Sequence, residues 1–444
     1  MAQKVHVPSL LKSPSETTAF GRNAENFLSS RLEERGEVFG SRILQWPVIF
    51  AASYKAVETA LTEDFDASGL SSKHGYASFT GLSLFGDTVL FQDGEDHTAT
   101  RKALRESSFA NKENLESSGL AEKVRETIHT RAKGLLANAK ANAAGTIEIG
   151  VYDYAKELCA EVLHASFLAC HHGSDEKEHD FKKLHQTMWR GTVSSGANVD
   201  VSLLGFRKRS AFNEAKEARQ HLAAKFAATD DKHADLPASC PFQRNLASRE
   251  ERVDHYIMFT SSMVSKAVGS IVASFVMLVS QDEILHSQLR QVCLTEKSQN
   301  DLLLHTIYEV ERLYPPVIGC CRTATKDMSL CGYSVPAGSK LWCSFLTANR
   351  DSKVFPDPMK FDPGRWSTTT HDPIPLHFSY GLGEHCCIGQ SFARFVVETI
   401  CCELIRNFET WETLDQIHNY RWLPVARPDS GLPTRFIIPG KKNT

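Results

Sequence analysis

One run near the C-terminal end could do metal chemistry: Tyr380-Gly381-Leu382-Gly383-Glu384-His385-Cys386-Cys387-Ile388-Gly389-Gln390. It sets two cysteines in a glycine-bent loop that leads into a helix expected over Gln390–Asn407. A thiolate, not a thiol, is the metal ligand, and backbone N–H groups and a helix start both favour negative charge on sulfur. The chemistry this suits is a permanent thiolate donor to an iron. Gly381 and Gly383 permit tight turns, and Gly389 removes a side chain where a flat cofactor would lie against the backbone.

A second constellation lies upstream. Glu309 and Arg312 stand three apart at the end of a helix, followed at once by Leu313-Tyr314-Pro315-Pro316, with Phe361-Asp362-Pro363-Gly364-Arg365-Trp366 between them and the cysteines. Alone, such a pair is a local ion pair worth about 0.3–0.5 kcal/mol. A third is basic: His97 and Arg101 share one helix face at i, i+4, Arg322 follows Val317–Cys321, and His385 stands two before Cys387.

The cysteine run resembles the proximal ligand loop of the heme-thiolate cytochrome P450 family. The match uses Tyr380, Gly381, Gly383, His385, Cys387 and Gly389, with Tyr380 where Phe is usual. Cys387 fits the Cys-x-Gly pattern. Cys386 is the competing ligand, and choosing it would break that pattern. The resemblance covers most of the chain, from His97 onward. It implies heme b (iron protoporphyrin IX) held by Cys387, with propionates met by His97, Arg101, Arg322 and His385. It also implies that Glu309, Arg312 and Arg365 lock the segment behind the heme, a carboxylate shared by two guanidinium groups. Gly364 stands where an acidic residue is common. The expected fold is mainly α with a small β part, triangular, with heme between a long distal helix and the helix after the Cys loop.

The elements that must position these residues are legible in outline. Helices are expected over Asn23–Arg35, Lys55–Leu61, Gly94–Arg105, Ala121–Ala141, Val151–Cys170, Phe206–Ala227, Val253–Ser280, Glu283–Thr295 and Asn300–Leu313. The apolar helix Val253–Ser280 would be about 40 Å long at 1.5 Å per residue. Pro315-Pro316 ends the last of them. Strands are expected in Ser41–Ala52 and Val317–Phe345, the latter with Gly332, Pro336 and Gly338 as turn signals. Residues 63–90 read as a surface loop, and Phe355–His377 as irregular. No linker or repeat divides the chain, so 1–444 reads as a single domain.

Composition sets the remaining bounds. The chain has 444 residues, 42% hydrophobic and 23% charged, which suits a large buried core. A net charge of −3 gives no field for nucleic acid or an anionic membrane. The twelve cysteines include three adjacent pairs and no Cys-x-x-Cys, so neither a disulfide framework nor a structural zinc site is expected. Reduced thiols fit a cytoplasmic protein. Met1–Phe27 shows no apolar run of about 18 residues, and a soluble, monomeric chain without an anchor is expected.

The distal helix departs from the family. Between His255 and Gln281 there is no Asp or Glu, and Thr260 is the only Thr. Family members mostly place an acid–alcohol pair there to deliver protons to dioxygen. The best register puts Lys266 and Ala267 at those positions, with Gly269 and Ser270 on a small face open to oxygen or substrate, or else to close helix packing. Lys266 either projects into water or meets a substrate carboxylate or peroxide. By family analogy, residues 63–90, 176–215, Val317-Ile318 and the turn near Leu432 line the pocket. Three functions follow. One is monooxygenation of a small lipophilic substrate of secondary metabolism. The second is peroxide-dependent or non-oxygen-activating heme-thiolate chemistry. The third is heme sensing without turnover. No nicotinamide or flavin fingerprint appears, so a separate reductase or ferredoxin would supply electrons, docking near Lys102 and Arg105, unless peroxide drives the reaction.

Overall fold

A computed structural model describes residues 3–4, 15–43, 46–62, 70–71, 81–168, 176–193, 201–203, 206–208, 210–230, 246, 248–295, 301–367 and 376–440. Ten helices carry the site: α1 Gly94–Arg105, α2 Leu120–Ala141, α3 Val151–Leu163, α4 Glu176–Val193, α5 Ala211–Asp230, α6 Arg249–Phe259, α7 Ser262–Val279, α8 Glu283–Leu294, α9 Asp301–Leu313 and α10 Gln390–Asn407. A five-stranded sheet runs in the order β1-β2-β5-β4-β3, with β1 Val38–Ile43, β2 Trp46–Ala51, β3 Leu70–Ser71, β4 Gly319–Ala324 and β5 Lys340–Ser344. The fold is mainly helical with a small β part, as expected.

Local chemistry explains the ends. Ser248 caps α6 by accepting from the Glu251 N–H, and Asp282 caps α8 by accepting from Leu285 N–H. The expected single helix over Val253–Ser280 is broken into α6 and α7. Thr260 donates its hydroxyl to the Tyr256 carbonyl at 2.6 Å, and Ser261 is extended at φ −62°, ψ 153°. A Thr-Ser-Ser run offers the backbone hydroxyl partners in place of the helical ladder, and that competition breaks the helix. Likewise the helix expected over Phe206–Ala227 starts later, after a short strand at Phe206–Lys208.

α7 is the hub. Fourteen of its residues are buried, and it packs against α3 on one side and α10 on another. The stretch Arg249–Val279 is long and apolar enough to cross a bilayer, but it is mostly enclosed by the protein as a core element. One hydrophobic cluster joins α2, α3, α7, α9 and α10, from Leu84 to Phe436. A second joins the five-stranded sheet to Phe378 at the base of the cysteine loop. The loop is therefore clamped between a helical core and a sheet, with α7 across from it.

Candidate heme-thiolate site

The cysteine loop is held by its own backbone. Cys387 N–H donates to the Tyr380 carbonyl at 2.7 Å, and Gly381 N–H to Phe378 carbonyl at 2.7 Å. Gly383, at φ 71°, could carry no side chain: a Cβ there would sit 2.1 Å from the Leu61 carbonyl oxygen. At Gly389 an added Cβ would meet only Cys387 Sγ, at 3.9 Å, so the space beside it is cavity rather than protein. Cys387 is exposed and lines that cavity. Burial pushes its thiol up, and a hydrogen bond from the Gly389 backbone pulls it back.

Four basic side chains converge on the same cavity. His97 and Arg101 come from α1, Arg322 from β4 and His385 from the loop. The two imidazoles stack with centroids 3.8 Å apart. Arg101 Nη2 donates to Cys386 Sγ at 3.0 Å, and Arg322 Nη1 to the Cys321 carbonyl at 3.0 Å. The nearest carboxylate to His385 is Asp93, at 3.9 Å. Burial, then the neighbouring positive groups, push His97 down to about 4 and His385 down to about 2. His97 Nε2 and Arg101 Nε are buried and make no hydrogen bond within the protein. The buried Arg101 guanidinium, with its Nε unmet, is costly unless an anion joins it, and the neutral His97 ring leaves a polar nitrogen beside it. A heme brings two propionates to an otherwise apolar cavity, so the residues present fit that group.

Behind the loop lie two buried carboxylates. Glu309 accepts from Arg312 Nε at 2.9 Å and Nη2 at 2.7 Å, from Arg365 Nε at 3.3 Å, and from Trp366 Nε1 at 2.9 Å. Arg312 also donates to the carbonyls of Asn349 and Pro358, which pins the segment before the loop. Two residues on, Glu311 makes a second cluster that sequence reasoning missed. It accepts from Tyr380 Oη at 2.7 Å and Arg394 Nη2 at 2.9 Å, and lies 3.2 Å from His377 Nε2. Burial opposes ionisation of Glu311, but Arg394 and His377 hold its carboxyl down to about 2. The available signal was three charged residues, 309, 311 and 312, crowded on the apolar end of one helix, with a hydroxyl-bearing ring at 380.

Across the cavity, of about 300 Å³, α7 presents Val264, Ala267, Val268 and Ile271. This corrects the distal expectation for three residues. Lys266 faces the other way, its Nζ 5.1 Å from the Trp189 ring centroid, because helical geometry puts it 100° from Ala267. Gly269 packs against α3, where a Cβ would lie 3.0 Å from the Tyr152 carbonyl oxygen. Ser270 is fully buried on the Tyr420 side. Of that set Ala267 alone walls the cavity, and no acid or hydroxyl of α7 does so. Val89, Leu90 and Val317 contribute walls. Ile318 and Leu432 belong to the core instead. Among the described residues, 176–215 contribute no wall here, and most of 63–80 and of 194–209 lies outside the described residues.

The family model "Cytochrome P450" matches residues 280–424. Over 130 residues the chain is 37% identical to a beta-amyrin 28-monooxygenase of Kalopanax septemlobus, 29% of this chain and 26% of that one. It is 33% identical over 133 residues to a protopanaxadiol 6-hydroxylase of Panax ginseng, 30% of this chain and 28% of that one. The matched stretch thus spans about a quarter of these relatives' length. In fold, the structure of the cytochrome P450DA heme domain superposes with a TM-score of 0.81 at 14% identity, covering 100% of both chains. Retinoic acid bound cyanobacterial CYP120A1 gives 0.77 at 20% identity, covering 99% of this chain and 100% of that one.

Proposed function

We propose that this chain, which belongs to the cytochrome P450 family, is a heme-thiolate monooxygenase acting on a small lipophilic molecule. One observation carries the reading. Cys387 and the Ala267 face of α7 confront each other across a single apolar cavity whose edge gathers His97, Arg101, Arg322 and His385. Heme held by the Cys387 thiolate, with His97, Arg101, Arg322 and His385 toward its propionates, would supply O–O bond cleavage.

The chain's own residues do the rest. The Gly389 N–H and the clamped loop hold the sulfur in place. Arg101 offers a buried charged donor for the propionates, stronger for its burial than it would be in water, and His97 a neutral ring beside it. Phe109, Phe167, Phe259 and Ile271 exclude water and receive an apolar substrate. The activities named for the matched relatives, on beta-amyrin and protopanaxadiol, support a lipophilic substrate of secondary metabolism. Exposed Lys102 and Arg105 on α1 offer a docking face for a separate electron donor.

α7 turns neither acid nor hydroxyl into the cavity, so protons come from water or from a substrate hydroxyl. The same observation favours peroxide-driven or non-oxygen-activating chemistry as the second reading. The test begins with the reduced, carbon-monoxide-treated protein, which should show the red-displaced absorption of a thiolate-bound heme. Turnover with reductase and NADPH then supports monooxygenation. Turnover with peroxide alone supports the second reading. A preparation that takes up no hemin ends both.

A further inference from the structure

Lys266, turned off the heme side, lines a second cavity of about 480 Å³ between α3, α4 and the start of α7. That volume is in the range of small-ligand clefts. Lys156, Lys183, His185 and Ser262 share the wall. Three of the cations here are already satisfied: Lys156 pairs with Asp153, Lys182 lies 3.8 Å from Glu161, and Arg190 pairs with Glu214. Lys266 has only the Trp189 ring, and no carboxylate of the described residues lies within ion-pair distance of it. Exposed Glu157 is the one carboxylate on the wall.

The acceptor side is equally specific. His185 is 7% exposed, and its Nδ1 is buried with no hydrogen-bond partner. Its Nε2 stands 3.1 Å from Thr260 Oγ1. That hydroxyl spends its proton on the Tyr256 carbonyl at 2.6 Å, so it must accept from His185 Nε2–H. The neutral ring then carries a bare lone pair at Nδ1. Burial keeps the ring neutral near pH 7, pushing it down to about 4. The start of the 18-residue α7, whose Ser261 makes no side-chain cap, adds the positive end of its dipole at the same place.

We propose that this cavity binds a phosphate group, free or as a small monoester, through Lys266 and the α7 N-terminus, with a P–OH donated to His185 Nδ1. A carboxylate or sulfate offers acceptors only and would leave Nδ1 unmet or force its protonation. A phosphate monoester, with a second pKa of about 6, is mostly the dianion at about pH 7 but takes up a proton at a cost of only about 1.4 kcal/mol, which sulfate and carboxylate cannot match. Burial, then repulsion from Lys156 and Arg427, pushes Lys266 down to about 8, and a bound anion would relieve both charges.

The test is isothermal titration calorimetry on the heme-loaded protein with inorganic phosphate, glycerol phosphate and sulfate. Phosphate or its ester should bind, sulfate more weakly. Glycerol phosphate tighter than phosphate identifies an ester, and the reverse identifies the free ion. Lys266→Met should weaken binding on the order of tenfold, the worth of one charged hydrogen bond. The carbon monoxide spectrum of that variant checks that it is folded. Lys183→Gln, at an exposed position, should weaken binding less and guards against misfolding of the first variant. No heat with either phosphate, equal binding of sulfate, or unchanged affinity in folded Lys266→Met overturns the proposal.

Discussion

Tyr380 and Glu311 are joined by a 2.7 Å hydrogen bond from the phenol to the carboxylate, and the same tyrosine's carbonyl accepts from the Cys387 N–H at 2.7 Å. One residue thus ties the sulfur-bearing loop to a buried anion on α9. Tyr380→Phe removes the phenolic donor and leaves the ring and the carbonyl in place. Glu311 keeps Arg394 and His377, so the cost should be about 1 kcal/mol. The denaturant midpoint should fall accordingly, and the carbon monoxide complex should lose its thiolate absorption at a lower denaturant concentration than wild type. An unchanged spectrum through unfolding would show that the bond does not brace the loop.

The same cluster sets an acid limit. Folding lowers the Glu311 carboxyl from 4.5 to about 2, so the folded state binds fewer protons between those values. Its contribution is therefore full above about pH 4.5 and is lost as pH falls toward 2. Glu311→Gln should lose stability near neutrality and show a flatter acid limb than wild type. Thermal unfolding across pH 2.5–5 reads both effects. Parallel limbs in the two proteins would show that Glu311 does not hold its charge in this way.

Most of the proximal half was legible because it is local in sequence. Gly381, Gly383 and Gly389 surround Cys387 within nine positions, and Gln390–Asn407 has the helical bounds expected of it. Glu309 and Arg312 are three apart, so one helix turn brings them together. Glu311 was not read because its partners, Tyr380 and Arg394, are 69 and 83 residues away and only folding joins them. The distal side failed for a different reason. Register along α7 fixes which residue sits where, but the facing of Lys266 depends on Trp189 and on a break at Thr260 that hydroxyl competition creates.

Cys386 and Cys387 should separate cleanly. Cys387 borders Gly389 and carries its N–H bond, whereas Cys386 Sγ accepts from Arg101 Nη2. Cys387→Ala should abolish the red-displaced carbon monoxide absorption. Cys386→Ala should keep it and lower heme retention only modestly, because Arg101 loses one acceptor while remaining free to meet a propionate. A normal spectrum from Cys387→Ala would move the ligand to the neighbouring sulfur.

Glu309 should tolerate no truncation. Its side chain is fully buried among Arg312, Arg365 and Trp366, and Arg312 is equally buried. Glu309→Ala leaves two guanidinium groups without their carboxylate, at a cost of about 3–5 kcal/mol. Soluble, heme-loaded protein should fall sharply in yield. Normal yield and midpoint would contradict the brace.

The distal wall gives a paired prediction, one arm without effect at the heme and the other with a gain. Lys266 reaches Trp189 and the second cavity, so Lys266→Ala should leave the substrate's spectral binding constant at the heme unchanged. Ala267 is the α7 residue of that pair whose side chain meets the cavity. Ala267→Thr places a hydroxyl where the wall has none, on a helix that tolerates Thr at a cost of roughly 0.7 kcal/mol or less. Under monooxygenation that hydroxyl should raise product formed per NADPH consumed, since proton supply to the cavity then no longer rests on water or substrate alone. Under the peroxide reading the same change should leave peroxide turnover flat. Measuring both ratios on one variant separates the two readings, and a loss of substrate affinity in Lys266→Ala would reverse the assignment of its side chain to the far face.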